Sequence, residues 1–517
     1  MKKIEELQQI KEDAYDYYIE NNEETTLFEK IFLVDEIIDE INKPDKYFLI
    51  GEKGSGKTAY SVYMCKEQTE SFCTLSLVEN TLYQKFINMK NQKSLALSSY
   101  KDIWINLLYL VLAKNIKNEY RESLFGNLKY KQLTKAIDQF YSDAFKPELI
   151  NAFEFIDNAT LSINTMLQQG VFSGGAGGTA ESTQKYVEQS YQVSLMKIRD
   201  GFEKAFQAIS LKKPAILFVD GIDARPRDVD NEQYFECLVG LVNAVLEMNQ
   251  SFLYNKNIKI MLLIRPDIMY KMPIHNMNQK LRNNSVLLDW VTSYKDYVDS
   301  KLFKIADDYF MKQQDKVYEL SECWNYYFPY RIKGKKGGKR DNPFIEFLRY
   351  SLYKPRDILT MLNEMVDATS GEQFEHSDFE NMLINYSTYL KGELKDYMLI
   401  YMEDADYNNF ILFFDYFVGC RNFDYKTFEE KHLEYVKYLK ALERNIPPYM
   451  QTAGEALQLL YDSNIICYKT QIKKNNKTNE KMFWSYKERN YANIQPEVRK
   501  GVNYSFHMAY AKAFRII

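Results

Sequence analysis

The stretch 47-YFLIGEKGSGKTAY-60 opens with a short apolar run, turns through three glycines, and closes on a lysine and a threonine. Gly51, Gly56, Lys57 and Thr58 fit the spacing G-x-x-x-x-G-K-[ST] without a gap. Each residue type there has a physical reason. Glycines let the backbone curl until successive N–H groups point at one set of phosphate oxygens. A helix starting near Lys57 adds the positive end of its dipole. The Lys57 ammonium reaches β- and γ-phosphates, and the Thr58 hydroxyl ligates Mg²⁺. The pattern alone has chance matches, but here a strand precedes it and a helix follows. The predicted cradle is Gly51, Glu52, Lys53, Gly54, Ser55, Gly56, Lys57, Thr58 and Ala59.

Working outward, such a cradle needs a second acidic residue for the metal at the end of a neighbouring strand. The stretch 214-PAILFVDGID-223 supplies Asp220, the first charged residue after an apolar run. Many related sites place Glu directly after that Asp to handle the attacking water. Here the position is Gly221, and Asp223 is the local substitute; the other reading makes Asp223 a turn residue. The stretch 258-IKIMLLIRPD-267 ends in Arg265. If that strand lies between the cradle strand and the Asp220 strand, Arg265 is placed to sense the γ-phosphate; its other reading is an ion pair with Asp267. Arg225 and Arg227 in 223-DARPRDVD-230 either act across a subunit interface or pair with Asp228 or Asp230. In 353-YKPRDILTML-362, Pro355 opens a helix and Arg356 sits in its first turn. The dipole does not favour a cation there, so Arg356 is a candidate phosphate contact.

The 517 residues exceed one compact core, and two to four domains are expected. With 46% hydrophobic and 27% charged residues the composition is that of a globular chain, and a net charge of −4 does not describe a surface coated for nucleic acid. Six scattered cysteines without C-x-x-C spacing, and four histidines, disfavour a zinc site and suit free cytosolic thiols. No apolar segment follows Lys2 and Lys3, and the longest apolar run, Ile103 to Ala113, is too short to span a bilayer. A cytoplasmic protein with no membrane partner is the expectation.

Residues 1–45 read as helical, with Ile4, Leu7 and Ile10 on one stripe and Leu27, Ile31, Val34 and Ile38 on another. Five apolar runs read as buried strands: Lys46–Ile50, Phe72–Leu77, Ala215–Val219, Ile258–Ile264 and Ser285–Leu288. Alternation with helical stretches predicts an α/β fold, a parallel sheet covered on both faces. Its parts are N-terminal helices at 1–45, a nucleotide domain at 46–300 with a helical insertion at about 78–210, a helical lid at 301–400 and a final module at 401–517. The insertion contains a glycine-rich stretch, Gly170–Ala180, read as a linker or surface loop.

In the last part, Asn408–Gly419, Tyr425–Leu439 and Thr452–Asp462 read as three helices. Two strands, 464-NIICYKTQI-472 and 481-KMFWSYKE-488, flank a polar turn. That order resembles a winged helix. Its third helix carries Glu455 and Gln458 but no cation, whereas the wing carries Lys473, Lys474, Lys477 and Lys481. The helix favours protein contact; the wing allows DNA. A second basic stretch, Arg331–Arg340, is either a solvated charge run or a phosphate-binding loop.

Taken together, Gly51–Thr58, Ile216–Asp223, Arg265 and Pro355-Arg356 resemble the additional-strand class of P-loop NTPases, within it the AAA+/STAND-like group, over roughly residues 20–390. The strings DGIDARP, LLIRPDI and VLLDW look most like bacterial ATPases of anti-phage defence. The resemblance implies a P-loop NTPase fold with a helical lid and a C-terminal winged-helix-like domain. It implies ATP and Mg²⁺ as ligands, held by the cradle with Thr58 and Asp220, and Lys57, Asp223, Arg265 and Arg356 in catalysis. It also implies a homo-oligomer or an effector protein as partner. Lacking the Glu after Asp220, the chain departs from ring-forming motors, and a slow ATP-driven switch is the expected function. A DNA-binding loader and a scaffold with static ATP are the alternatives.

Overall fold

The computed structural model describes residues 1–20, 25–67, 70–78, 100–119, 128–143, 195–211, 213–223, 225, 229–333, 340–474, 477–493 and 495–517. The chain forms two compact units. One contains Ile37–Ile50 and Tyr60–Val286; the other contains Met1–Glu36, Gly51–Ala59 and Leu287–Ile517.

The first unit is built on a sheet of β1 (Phe48–Ile50), β2 (Phe72–Leu77), β3 (Ala215–Asp220), β4 (Ile258–Ile264) and β5 (Ser285–Leu287), in the order β2-β3-β4-β1-β5. The pairs β2/β3, β3/β4 and β1/β4 are parallel. Every residue of β1, β3 and β4 is buried, which is why these strands read as unbroken apolar runs rather than alternating ones. The fold is therefore α/β with a parallel sheet, as the spacing of apolar runs predicts. Lys259, the one charge inside β4, turns its ammonium onto the carbonyls of Ile41 and Lys43. It thereby satisfies the end of the Glu36–Asn42 helix just before Pro44. Burial pulls its pKa down to about 7.

The apolar run Ile103–Ala113 lies in the core helix Tyr100–Glu119. This helix packs against Asn231–Glu247 so closely that a Cβ on Gly240 would fall 2.5 Å from that of Tyr100. Trp104 seals the contact by donating to the Cys237 carbonyl, 3.1 Å away. A further helix covers 195–208. The glycine-rich stretch Gly170–Ala180 lies outside the described residues. Among the described residues, no helix is long and apolar enough to cross a membrane.

The N-terminal part of the second unit departs from the expected continuous helices. Ile4–Glu6 is a single 3-10 turn, and Ala14–Ile19 and Leu27–Ile31 are short helices. Ile4, Leu7 and Ile10 are buried, but as a strap rather than a helical stripe, and Val34 is exposed. The strap is stitched down by polar side chains: Asn363 exchanges two hydrogen bonds with Ile10, and Tyr327 donates to the Lys2 carbonyl. Periodicity of apolar residues cannot distinguish such a strap from a helix. It rests on the helices Lys301–Met311, Glu322–Tyr327, Phe344–Tyr350, Pro355–Ala368 and His376–Met398, whose aromatic core includes Trp324 stacked on Phe328 at 4.2 Å. A two-residue ladder, β6 (Ile332–Lys333) with β7 (Arg340–Asp341), flanks the basic stretch 331–340; its residues 334–339 lie outside the described residues.

The final segment contains the helices Asp404–Leu412, Tyr425–Ala441 and Ala453–Asp462 and a four-stranded sheet, β8 (Asn422–Asp424), β9 (Ile466–Lys474), β10 (Lys477–Phe483) and β11 (Asn503–Phe506), in the order β10-β9-β11-β8. The expected helix at Asn408–Gly419 changes to a 3-10 turn over Phe413–Phe417. β8 and β11 are additions to the expected two strands. Each is too short to show a period of two, and β11 inserts between β8 and β9, which no local pattern announces.

Candidate functional site

The loop after β1 is shaped by its glycines. Gly54 and Gly56 have φ of 81° and 95°, where other residues are strained. A Cβ on Gly51 would fall 2.2 Å from the Ser55 Oγ and 3.3 Å from the Leu288 Cβ. The helix Lys57–Glu67 begins at the loop's end. The Lys57 side chain is folded back, donating to the carbonyls of Gly51 (2.9 Å) and Glu52 (3.3 Å). The Ser55 hydroxyl is buried without a hydrogen-bond partner, and the Trp290 indole N–H donates to the Ser55 carbonyl at 2.9 Å. An uncommitted buried hydroxyl, a position at Gly51 with no room for a side chain, and a buried ammonium on backbone carbonyls together fit a loop that closes on a phosphate.

The variable residues of the loop are held by the rest of their unit. Glu52 pairs with Arg489. Lys53 pairs with Glu393 at 3.0 Å and Asp396 at 2.9 Å. Gly54 abuts Arg356: the Arg356 N–H donates to the Gly54 carbonyl at 3.3 Å, and a Cβ on Gly54 would lie 3.1 Å from that of Arg356. The Arg356 guanidinium is 3.9 Å from the Glu393 carboxylate.

A strained turn aims Arg356 at the loop. Tyr353 has φ of 56°, Lys354 is extended as a residue before proline must be, and Pro355 starts the helix. Asp357 fastens the turn by accepting from the Leu352 N–H at 2.7 Å, and burial raises its pKa. The unit thus brings Gly51–Thr58 and Arg356 together, with Trp290, Glu393 and Arg489, to which sequence spacing assigned no role.

The sheet unit gathers the other candidates at the ends of β3 and β4. Asp220 is buried, and its Oδ1 accepts from the Gly221 N–H at 2.8 Å. Gly221 has φ of 80°, and a Cβ there would fall 2.8 Å from the Val78 carbonyl oxygen. This explains why no glutamate follows Asp220: no side chain fits. Asp223, half-buried, belongs to a cluster with Arg265 and Asp267 around the Tyr234 phenol, which donates to the Ile222 carbonyl. Burial first, and the Asp223 charge next, push the Tyr234 pKa well up.

β4 lies between β1 and β3, and Arg265 stands at its end. Its guanidinium is buried and gripped by Asp267 through two bonds, 3.0 and 2.7 Å. Arg225 donates to the Val229 carbonyl at 2.8 Å, while Asp230 caps the Asn231–Glu247 helix. Arg227 lies outside the described residues.

In the final segment, Glu455 and Gln458 of the third helix are committed to the fold. Glu455 closes a capping box with Thr452. Gln458 donates to Asp462 and the Pro496 carbonyl and accepts from the Val498 N–H. The hairpin sets Lys477 opposite Lys474, and the Lys481 ammonium lies 4.8 Å from the Phe483 ring centroid.

No protein-family model matches the chain, and no curated protein matches its sequence.

Proposed function

We propose that the chain is an ATP-binding, slowly hydrolysing P-loop ATPase of the additional-strand class, acting as a nucleotide-dependent switch. The observation that carries this reading is the Gly51–Thr58 loop: two left-handed glycines, a third position closed to side chains, and a buried lysine on the loop's own carbonyls. The strand order supports it, since β4 inserted between β1 and β3 is the additional strand of that class. The resemblance gives Thr58 and Asp220 as the residues for Mg²⁺, which when bound neutralises phosphate charge. Lys57 and Arg356 bind and orient phosphate oxygens, Asp223 accepts a hydrogen bond from the attacking water, and Arg265 sits one strand away from Asp220, oriented by Asp267.

Control of an effector in bacterial antiviral defence is the setting that the resemblance proposes for such a switch. The DNA-loader reading rests on Lys473, Lys474, Lys477 and Lys481 and on the 331–340 stretch; Glu455 and Gln458, spent on internal hydrogen bonds, add nothing to it.

The test is direct. Lys57→Ala abolishes ATP binding. Asp223→Asn leaves binding intact and slows single-turnover hydrolysis by roughly 10²-fold or more. Wild-type turnover in Asp223→Asn removes Asp223 from the mechanism, and no hydrolysis by the wild type in a single-turnover assay favours the static-ATP scaffold.

A further inference from the structure

Glu52 is held at two points. Its carbonyl accepts from the Lys57 ammonium at 3.3 Å, and its carboxylate is paired with Arg489. The side chains of Arg489 and Glu52 are only 7% and 16% exposed, so neither charge is well solvated without the other. Arg489 also donates to the carbonyl of Asp462, the last residue of the Ala453–Asp462 helix, at 3.1 Å. Two residues earlier, the Lys487 ammonium lies 3.8 Å from the centroid of the Tyr353 ring, at the turn that aims Arg356 at Gly54. The short segment Ser485–Arg489 therefore meets the phosphate loop directly through Glu52 and indirectly through Tyr353. The Lys57 ammonium has three donors, and the carbonyls of Gly51 and Glu52 draw it toward the loop's own backbone.

We propose that the Arg489–Glu52 pair restrains the phosphate loop. Arg489 is a positioning residue: through Glu52 it holds the loop where Lys57 is turned onto its own backbone, and triphosphate binding releases the Ser485–Arg489 segment. This rests on the reading of Gly51–Thr58 as a nucleotide site. A ligand shifts such an equilibrium only through differential affinity. A polyanion has it: it offers Lys57 a charge-assisted partner in place of a carbonyl, and it repels the Glu52 carboxylate. Glu393 plays the parallel part for Lys53 and Arg356.

The experiment measures ATP binding in Mg²⁺ by calorimetry on the full chain, with hydrogen exchange of a peptide covering 485–489. Glu52→Gln and Arg489→Gln are each expected to bind ATP about five- to tenfold more tightly than the wild type. The double variant is expected to bind no more tightly than Glu52→Gln, because one restraint is removed only once. Exchange in 485–489 rises on adding ATP to the wild type and is already high in both variants. Should Arg489→Gln not fold, Glu52→Gln alone carries the test.

Weaker binding in Arg489→Gln, unchanged binding in both singles, or additive effects in the double overturns the restraint. If the wild type takes up no ATP, the nucleotide reading fails and the restraint falls with it. If the wild type binds, Lys57→Ala does not, and the single variants match the wild type, the restraint alone is refuted.

Discussion

At the scale of single residues, Gly221 shows how an absent side chain is explained by what surrounds it. The sequence presents a missing glutamate after Asp220; the structure presents a backbone at φ 80° beneath the Val78 carbonyl. Under the proposed ATPase reading, restoring the glutamate is therefore expected to bring no faster hydrolysis. Gly221→Glu is expected to cost about 2 kcal/mol or more through backbone strain and the clash. It lowers the thermal midpoint by several degrees and leaves single-turnover hydrolysis no faster than in the wild type. Calorimetric melting and single-turnover kinetics check both halves. The same scale explains Arg265 and Asp267: two residues apart, buried together and bonded twice, they form a unit in which neither charge stands alone.

At the scale of elements, the turn Ser351–Arg356 delivers a side chain to a loop distant in sequence. Tyr353 is held in the left-handed region, and Asp357 supplies the acceptor that fastens Leu352. Asp357→Ala leaves the buried Leu352 N–H unpaired and is expected to cost about 1–3 kcal/mol. Asp357→Asn keeps an acceptor and costs less. Denaturant unfolding of the two variants ranks them, and equal losses would show that the hydrogen bond does not hold the turn.

Elements also mark the limit of reading from spacing. β3, β4 and the helix after the phosphate loop were legible because their apolar runs and glycines are local signals. The strap at residues 1–12 and the strands β8 and β11 were not, because polar stitches and two- to four-residue ladders leave no period.

At the scale of the whole molecule, the segment after β11 is tied back to the Ser351–Arg356 turn within its unit by His507. This ring is buried; its Nε2 donates to the Ser351 carbonyl at 3.1 Å, and its Nδ1 is buried without a hydrogen-bond partner, so a second proton would go unpaired and the neutral form fits. Burial above all, helped by the charges of Arg421, Lys487 and Lys354, lowers its pKa to about 3. The folded pKa lies below the unfolded value of about 6.5. His507 therefore takes up a proton on unfolding between those values, and stability falls as pH drops through that window. The expected slope is about 1 kcal/mol per pH unit from pH 6 to 5. His507→Gln is expected to flatten it, as measured by urea unfolding at pH 7, 6 and 5. An unchanged slope would place the titration elsewhere.

The sequence by itself determined the glycine-rich loop between β1 and the helix that starts at Lys57, the buried parallel strands and the acidic residue at the end of β3. Those depend on residues within a dozen positions of one another, whose glycine, lysine and apolar spacing has few physical solutions. Only the tertiary structure decided the insertion of β4 between β1 and β3, the closure of position 221 to side chains, and the pairing of Glu52 with Arg489. Those two charges are 437 residues apart. A contact at that distance has no local signature, because either partner alone reads as an ordinary surface charge until packing removes both from water.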